Sequence, residues 1–125
     1  MDGSLLVYGA AVAVAFWGVA HLIPTSSVVA GFGRISNDNR RLLTMEWVAE
    51  GMTLIFVGVL VAAVTLAGGA DDDVGVAVYW TSAGLLAAIA VLTTFTGART
   101  PVAWFKACPV VLGACIALLV IGGIL

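Results

Sequence analysis

Charge is what this sequence lacks. Only 10% of its 125 residues are Asp, Glu, Lys or Arg, against about a quarter in an ordinary soluble domain. That excludes a water-soluble globule, and with five basic residues in all it excludes a nucleic-acid-binding surface, which needs a basic stripe. Histidine occurs once and cysteine twice, too little for a metal set. One histidine cannot supply both axial ligands of a haem within a subunit, and the nucleophile set of a hydrolase is missing. Cys108 and Cys115 are seven positions apart on one apolar segment. On a helix that is ~10 Å of rise, beyond the ~7 Å that a disulfide spans between alpha carbons, so they read as packed thiols. No basic residue precedes the first apolar run in Met1-Asp2-Gly3-Ser4. A secretory leader pattern is therefore not seen, and the first run reads as a retained span.

What is present is apolar. Hydrophobic residues make up 62% of the chain and mean hydropathy is +1.18. A bilayer-crossing helix needs roughly 20 residues, so the chain has room for four. The expectation is an all-α, integral membrane four-helix antiparallel bundle. It forms a single domain, 1–125, with spans at about 5–23, 42–67, 76–96 and 104–123. Pro24 ends the first span. Thr25-Ser26-Ser27 ahead of Val28-Val29-Ala30, with Gly31 behind, predicts a short helix from Ser26 to Gly31 across one end of the bundle. Ser36-Asn37-Asp38-Asn39 offers caps for the second span. Tyr79-Trp80 reads as an interface anchor, and Pro109 as tolerable in the opening turn of the last span. Small residues four apart (Gly9/Ala13, Gly58/Ala62, Gly84/Ala88 and Gly113/Ala117) favour close helix packing.

The charges are segregated. Arg34, Arg40, Arg41, Arg99 and Lys106 all fall in or beside the connections between spans one and two and between spans three and four. The other side carries Asp2, Asp71, Asp72 and Asp73 and no basic residue. The aspartate run itself reads as a solvated loop tip. The positive-inside rule puts the basic connections in the cytoplasm and both termini outside, for a multi-pass protein of the plasma membrane.

That topology gathers the polar side chains in one half. His21 ends span one, with Trp17 one turn earlier on the same face. Glu46, Trp47 and Glu50 open span two, and the carboxylates at spacing four share a face. Arg99 and Lys106, with Thr93, Thr94, Trp104 and Cys108, flank the connection between spans three and four. The reading is a pocket open to the cytoplasm or the inner leaflet and sealed outward. Each member also has a plainer role. Arg99 and Lys106 are suited to snorkel, and Glu46 to reach headgroup water or pair with Arg41 or Lys106. His21 and Glu50 could be a structural tie between spans. Glu50 is too deep and too short to snorkel, and a carboxylate at membrane depth is a functional signal by default. Pairing offsets the cost of burying either group alone. His21 and Glu50 are therefore expected within hydrogen-bonding reach, directly or through one water.

Gly18-Val19-Ala20-His21-Leu22-Ile23-Pro24, followed by Trp47-Val48-Ala49-Glu50-Gly51, resembles the DoxX-like small membrane proteins. Those often carry a Gly-x-x-His-Phe-x-Pro ending and a Gly-or-Trp-x-x-Glu element on four helices. The match covers spans one and two. Glu46, the Arg40-Arg41 pair and Lys106-Ala107-Cys108-Pro109 depart from the pattern. The resemblance implies association with membrane oxidoreductases, quinone-linked in some members, and gives weight to His21 and Glu50 alone. Three functions follow. The first is a redox-linked or quinone-associated subunit, with quinone or bound lipid as its ligand. The second is a proton-coupled homo-oligomeric carrier or channel with Glu50 as the titrating site. The third is a structural module, alone or beside a partner membrane subunit. Sequence does not choose among them, or decide whether the protein is an enzyme.

Overall fold

A computed structural model describes residues 3–125; Asp2 lies outside them. The described chain is helical, without strands, and four of its helices are long and apolar enough to cross a bilayer. This is a multi-pass membrane protein built as a four-helix bundle. Helices α1 (Gly3–Leu22), α3 (Asn37–Leu66), α4 (Asp73–Phe95) and α5 (Ala103–Gly122) cross it, and α2 (Thr25–Ala30) is a short connector. The outward faces carry exposed Val12, Phe16, Phe56 and Val110, as lipid-facing surfaces do.

Helix α3 begins at Asn37, five residues before the span read from hydropathy. Ser36 caps it, its hydroxyl accepting from the Asn39 amide at 3.1 Å. At 30 residues it is about 45 Å long, so its first turns stand beyond the apolar layer. The connector α2 exists where the hydroxyl cluster placed it, but not through a hydroxyl cap. Thr25 donates to the Leu22 carbonyl at the end of α1 instead, and α2 has no side-chain cap. Gly31 continues in right-handed geometry, and the left-handed stop falls two residues later at Gly33, with φ of 71°. Pro109 is the seventh residue of α5, in its second turn rather than its first. There it removes the amide that would bond the Phe105 carbonyl.

Helix α1 packs closely along α3. A Cβ on Gly58 would meet the Ala11 carbonyl at 2.5 Å and the Ala15 Cβ at 2.7 Å. One on Gly18 would meet the Gly51 carbonyl at 2.8 Å. Close approach thus rests on Gly18, Gly51 and Gly58. Of the small-residue pairs, Gly84 and Gly113 face open space.

The two ends of the bundle differ, and they are named here by their charges. At the acidic end the core is dense: Val7, Val61, Tyr79, Leu86, Leu112 and Leu119 are all buried. Tyr79 is a core residue, not an anchor; only its neighbour Trp80 reaches the surface. Successive helical positions point ~100° apart, so two adjacent aromatics cannot share an environment. The Tyr79 hydroxyl bonds Thr65 at 2.7 Å, tying α4 to α3. Toward the basic end the same two helices are held apart by a cavity.

Candidate functional site

The cavity lies in the basic half and measures about 1070 Å³. Helix α1 contributes Trp17 and His21, α3 Glu46, Trp47, Glu50 and Thr53, α4 Ile89 and Thr93, and α5 Trp104, Phe105 and Cys108. Phe32, beyond α2, closes part of one side. Its exposed lining residues include Ala49 and Leu92 on α3 and α4, and Phe32, Val102 and Trp104 toward the basic end, so the cavity is open on both of these sides.

His21 is held from three sides. Its ring stacks on Trp47 with centroids 3.9 Å apart. The Trp47 indole donates to the His21 backbone carbonyl at 2.9 Å, which satisfies an end-of-helix oxygen that has no partner within α1. Its Nε2 faces Glu50 Oε2 at 3.7 Å. That is ion-pair range, and too long for a direct hydrogen bond. The two groups thus meet between adjacent spans, as expected, but without the direct hydrogen bond. His21 is buried, whereas the Glu50 side chain retains 34% exposure toward the cavity.

A second aromatic pair extends this wall. Trp17 stacks on Trp104 at 4.8 Å, and Phe105 meets Trp47 edge-on at 5.6 Å. Aromatic pairs of this kind add roughly 0.5–1.5 kcal/mol each beyond area burial. The Cys108 thiol sits against the side chains of Trp17 and Thr93. Both cysteines are free and buried, as their spacing required.

Of the residues singled out from sequence, Trp17, His21, Glu46, Trp47 and Glu50 come together on the cavity wall. Arg99 and Lys106 do not. Arg99 lies over the Phe95 ring, 5.3 Å from its centroid, and Lys106 is exposed on the outside of α5. Glu46 is exposed on the cavity side and takes neither cation expected for it. Arg41 pairs with Asp38 at 3.7 Å instead, one turn away on its own helix. Among the described residues the ion pairs are that one and His21–Glu50. Every basic residue is on this end of the protein, yet none lines the cavity. Its titratable wall consists of Glu46, Glu50, His21 and Cys108; α4 contributes hydroxyls only.

Sequence reading missed Phe105, Phe32 and Thr53. Their signals were present but ambiguous: an aromatic at a span end is accounted for by the interface, and a threonine in a helix by its own backbone. No group of His, Cys, Asp and Glu able to hold a metal occurs among the described residues. No protein-family model, no curated protein and no solved structure matches the chain.

Proposed function

We propose that this protein binds a small amphiphile, drawn sideways from the lipid layer into the cleft between α3 and α4, as a proton-linked carrier acting as a homo-oligomer. Glu50 is its titrating site and His21 positions Glu50. The basic end faces the cytoplasm, following the placement of the five basic residues. One observation carries the reading: Glu46 and Glu50 open onto a cavity that no basic side chain enters. Carboxylates at membrane depth demand a partner. Where the protein supplies none to Glu46 and only a neutral or protonated imidazole to Glu50, a proton or a ligand is left to fill the role. The cavity is of the size that small-molecule sites have, about 300–1,000 Å³, and its dense far end gives the seal that a one-sided carrier needs.

A second reading, a redox-linked subunit associated with quinone, draws on the DoxX-like resemblance and on a different observation. Trp17 Nε1, beside the Cys108 thiol, and His21 Nε2, facing Glu50 at 3.7 Å, are buried and make no close hydrogen bond. A quinone held here would have to receive its electrons from a partner membrane oxidoreductase, and these nitrogens are the donors able to hold its carbonyl oxygens. Both are covered in this structure, His21 Nε2 by Glu50, so Glu50 would have to swing aside first. The exposed carboxylates require no such movement, which favours the carrier.

Reconstitution in liposomes tests the reading. A proton flux that Glu50→Gln abolishes and Glu46→Gln only weakens is expected. Unchanged flux in Glu50→Gln, or normal function with Leu at both His21 and Glu50, would leave a structural module. Orientation is checked with cysteines at Asp72 and Arg99 in intact cells. Labelling from outside at Asp72 is expected, and labelling at Arg99 alone would invert the protein.

A further inference from the structure

We infer that the cleft selects an organic cation on an apolar body, a lipophilic ammonium or phosphonium with one positive charge. This rests on the reading that the cleft is a ligand site and adds the sign of the ligand's charge.

The argument is a count of donors and acceptors on the wall. Thr53, Thr93, Thr96 and Thr100 line the cavity, and each hydroxyl already donates to a backbone carbonyl, at 2.7, 2.8, 2.7 and 2.7 Å. A hydroxyl has one proton, so these four present lone pairs to a ligand. The Trp47 indole proton is committed to the His21 carbonyl. The indole of Trp17 and the Nε2 of His21 are buried beneath the surface. Glu46 and Glu50, when ionised, only accept. Ser27, exposed on the same wall, adds one hydroxyl that can donate. The charged side chains a ligand meets are nonetheless two carboxylates, with no Lys or Arg opposing them, so the wall favours a cation over a neutral carbonyl head.

The rest of the wall suits the same ligand. Trp47, Trp104, Phe105 and Phe32 line the cavity; Trp47 and Trp104 each have one ring face stacked on a neighbour, and a ring face left open attracts a cation within about 6 Å of the centroid. None of the five Lys and Arg residues that could repel it lines the cavity. A cation at membrane depth needs a counter-charge to offset lost hydration, and its own charge favours the ionised carboxylate. Proton and cation thus compete for Glu50, which is how a proton-linked carrier is driven.

Equilibrium dialysis of the detergent-purified protein against radiolabelled tetraphenylphosphonium tests this, with decylubiquinone as the neutral comparison. Saturable cation binding is expected, weakened at least tenfold in the Glu46→Gln/Glu50→Gln double variant and unchanged in Asp72→Asn at the far end. Thermal unfolding shows whether the double variant is folded; if it is not, displacement of the label by non-radioactive tetraphenylphosphonium, but not by decylubiquinone, in the unmodified protein is the deciding result. Saturable binding of decylubiquinone without binding of the cation would overturn the charge assignment and leave the ligand site standing. Equal cation affinity in a folded double variant would overturn it as well. Binding of neither probe would remove the ligand site together with the inference.

Discussion

The two halves of this bundle are made of the same four helices and solve opposite problems. At the acidic end, α3 and α4 converge on the Thr65–Tyr79 bond over side chains that fill the space between them. At the basic end the same helices part around a cavity lined by three of the four tryptophans, two carboxylates and the sole histidine. The difference shows where each half gets its stability. The closed half relies on fit, while the glycines that let α1 approach α3 (Gly18, Gly51 and Gly58) run along both halves. The open half relies on pairwise aromatic contacts and leaves volume unfilled. Substitutions should therefore act on folding in one half and on ligand handling in the other.

The largest effect is expected at Gly58, whose Cβ would collide with the α1 backbone. Gly58→Val should destabilise the bundle by about 3 kcal/mol or more, since backbone cannot yield as a flexible side chain can. Unfolding titration in mixed micelles measures this. A loss below about 1 kcal/mol would mean that α1 and α3 are not packed as described. Next comes Leu54→Ala, at a fully buried position, which should cost roughly 2–5 kcal/mol. Leu92→Ala on the exposed lip of the cavity should stay within about 0.5 kcal/mol. Equal costs at the two sites would mean that Leu54 is not packed in the core or that Leu92 is not on an open lip.

Tyr79→Phe removes one interhelical hydroxyl and keeps the ring. Hydrogen bonds between membrane helices average about 0.6 kcal/mol, with a maximum near 1.7, and a loss in that range is expected from the same titration. Thr65→Val in the Tyr79→Phe background should then add little, because the partner is already gone. The smallest effect is expected at Glu46. Glu46→Gln should change folding stability by no more than about 0.5 kcal/mol, because no cation among the described residues pairs with it. A large loss there would reveal a structural role that the geometry does not provide.

Hydropathy alone carried the four spans, because a bilayer imposes a length and a composition that few other environments do. The connector α2 was legible too, though not the device that builds it. Thr25 could cap its own helix or close the previous one, and local sequence cannot rank two hydroxyl bonds of similar strength. Tyr79 and Trp80 looked alike because both suit an interface; the rotation between adjacent positions separates them, and its phase is set by packing.

The candidate site divides the same way. Spacing put Trp17 with His21, and Glu46 with Glu50, on single helix faces. Adjacency of spans then brought His21 to Glu50, at 3.7 Å. Sequence could not say where the cations would point. Arg41, Arg99 and Lys106 have long flexible side chains at helix ends, and each was free to enter the pocket or leave it. Arg41 took Asp38, Arg99 took Phe95, and Lys106 stayed on the surface. The sequence by itself thus determined a membrane bundle with its polar groups in one half, since the cost of charge in hydrocarbon depends on depth and little else. Only the tertiary structure decided that the half is a cleft with two carboxylates and no Lys or Arg on its wall. The sign of a cavity depends on which side chains from different helices share one wall, and the packing of α1, α3, α4 and α5 decides that Glu46 and Glu50 face it while Arg41, Arg99 and Lys106 do not.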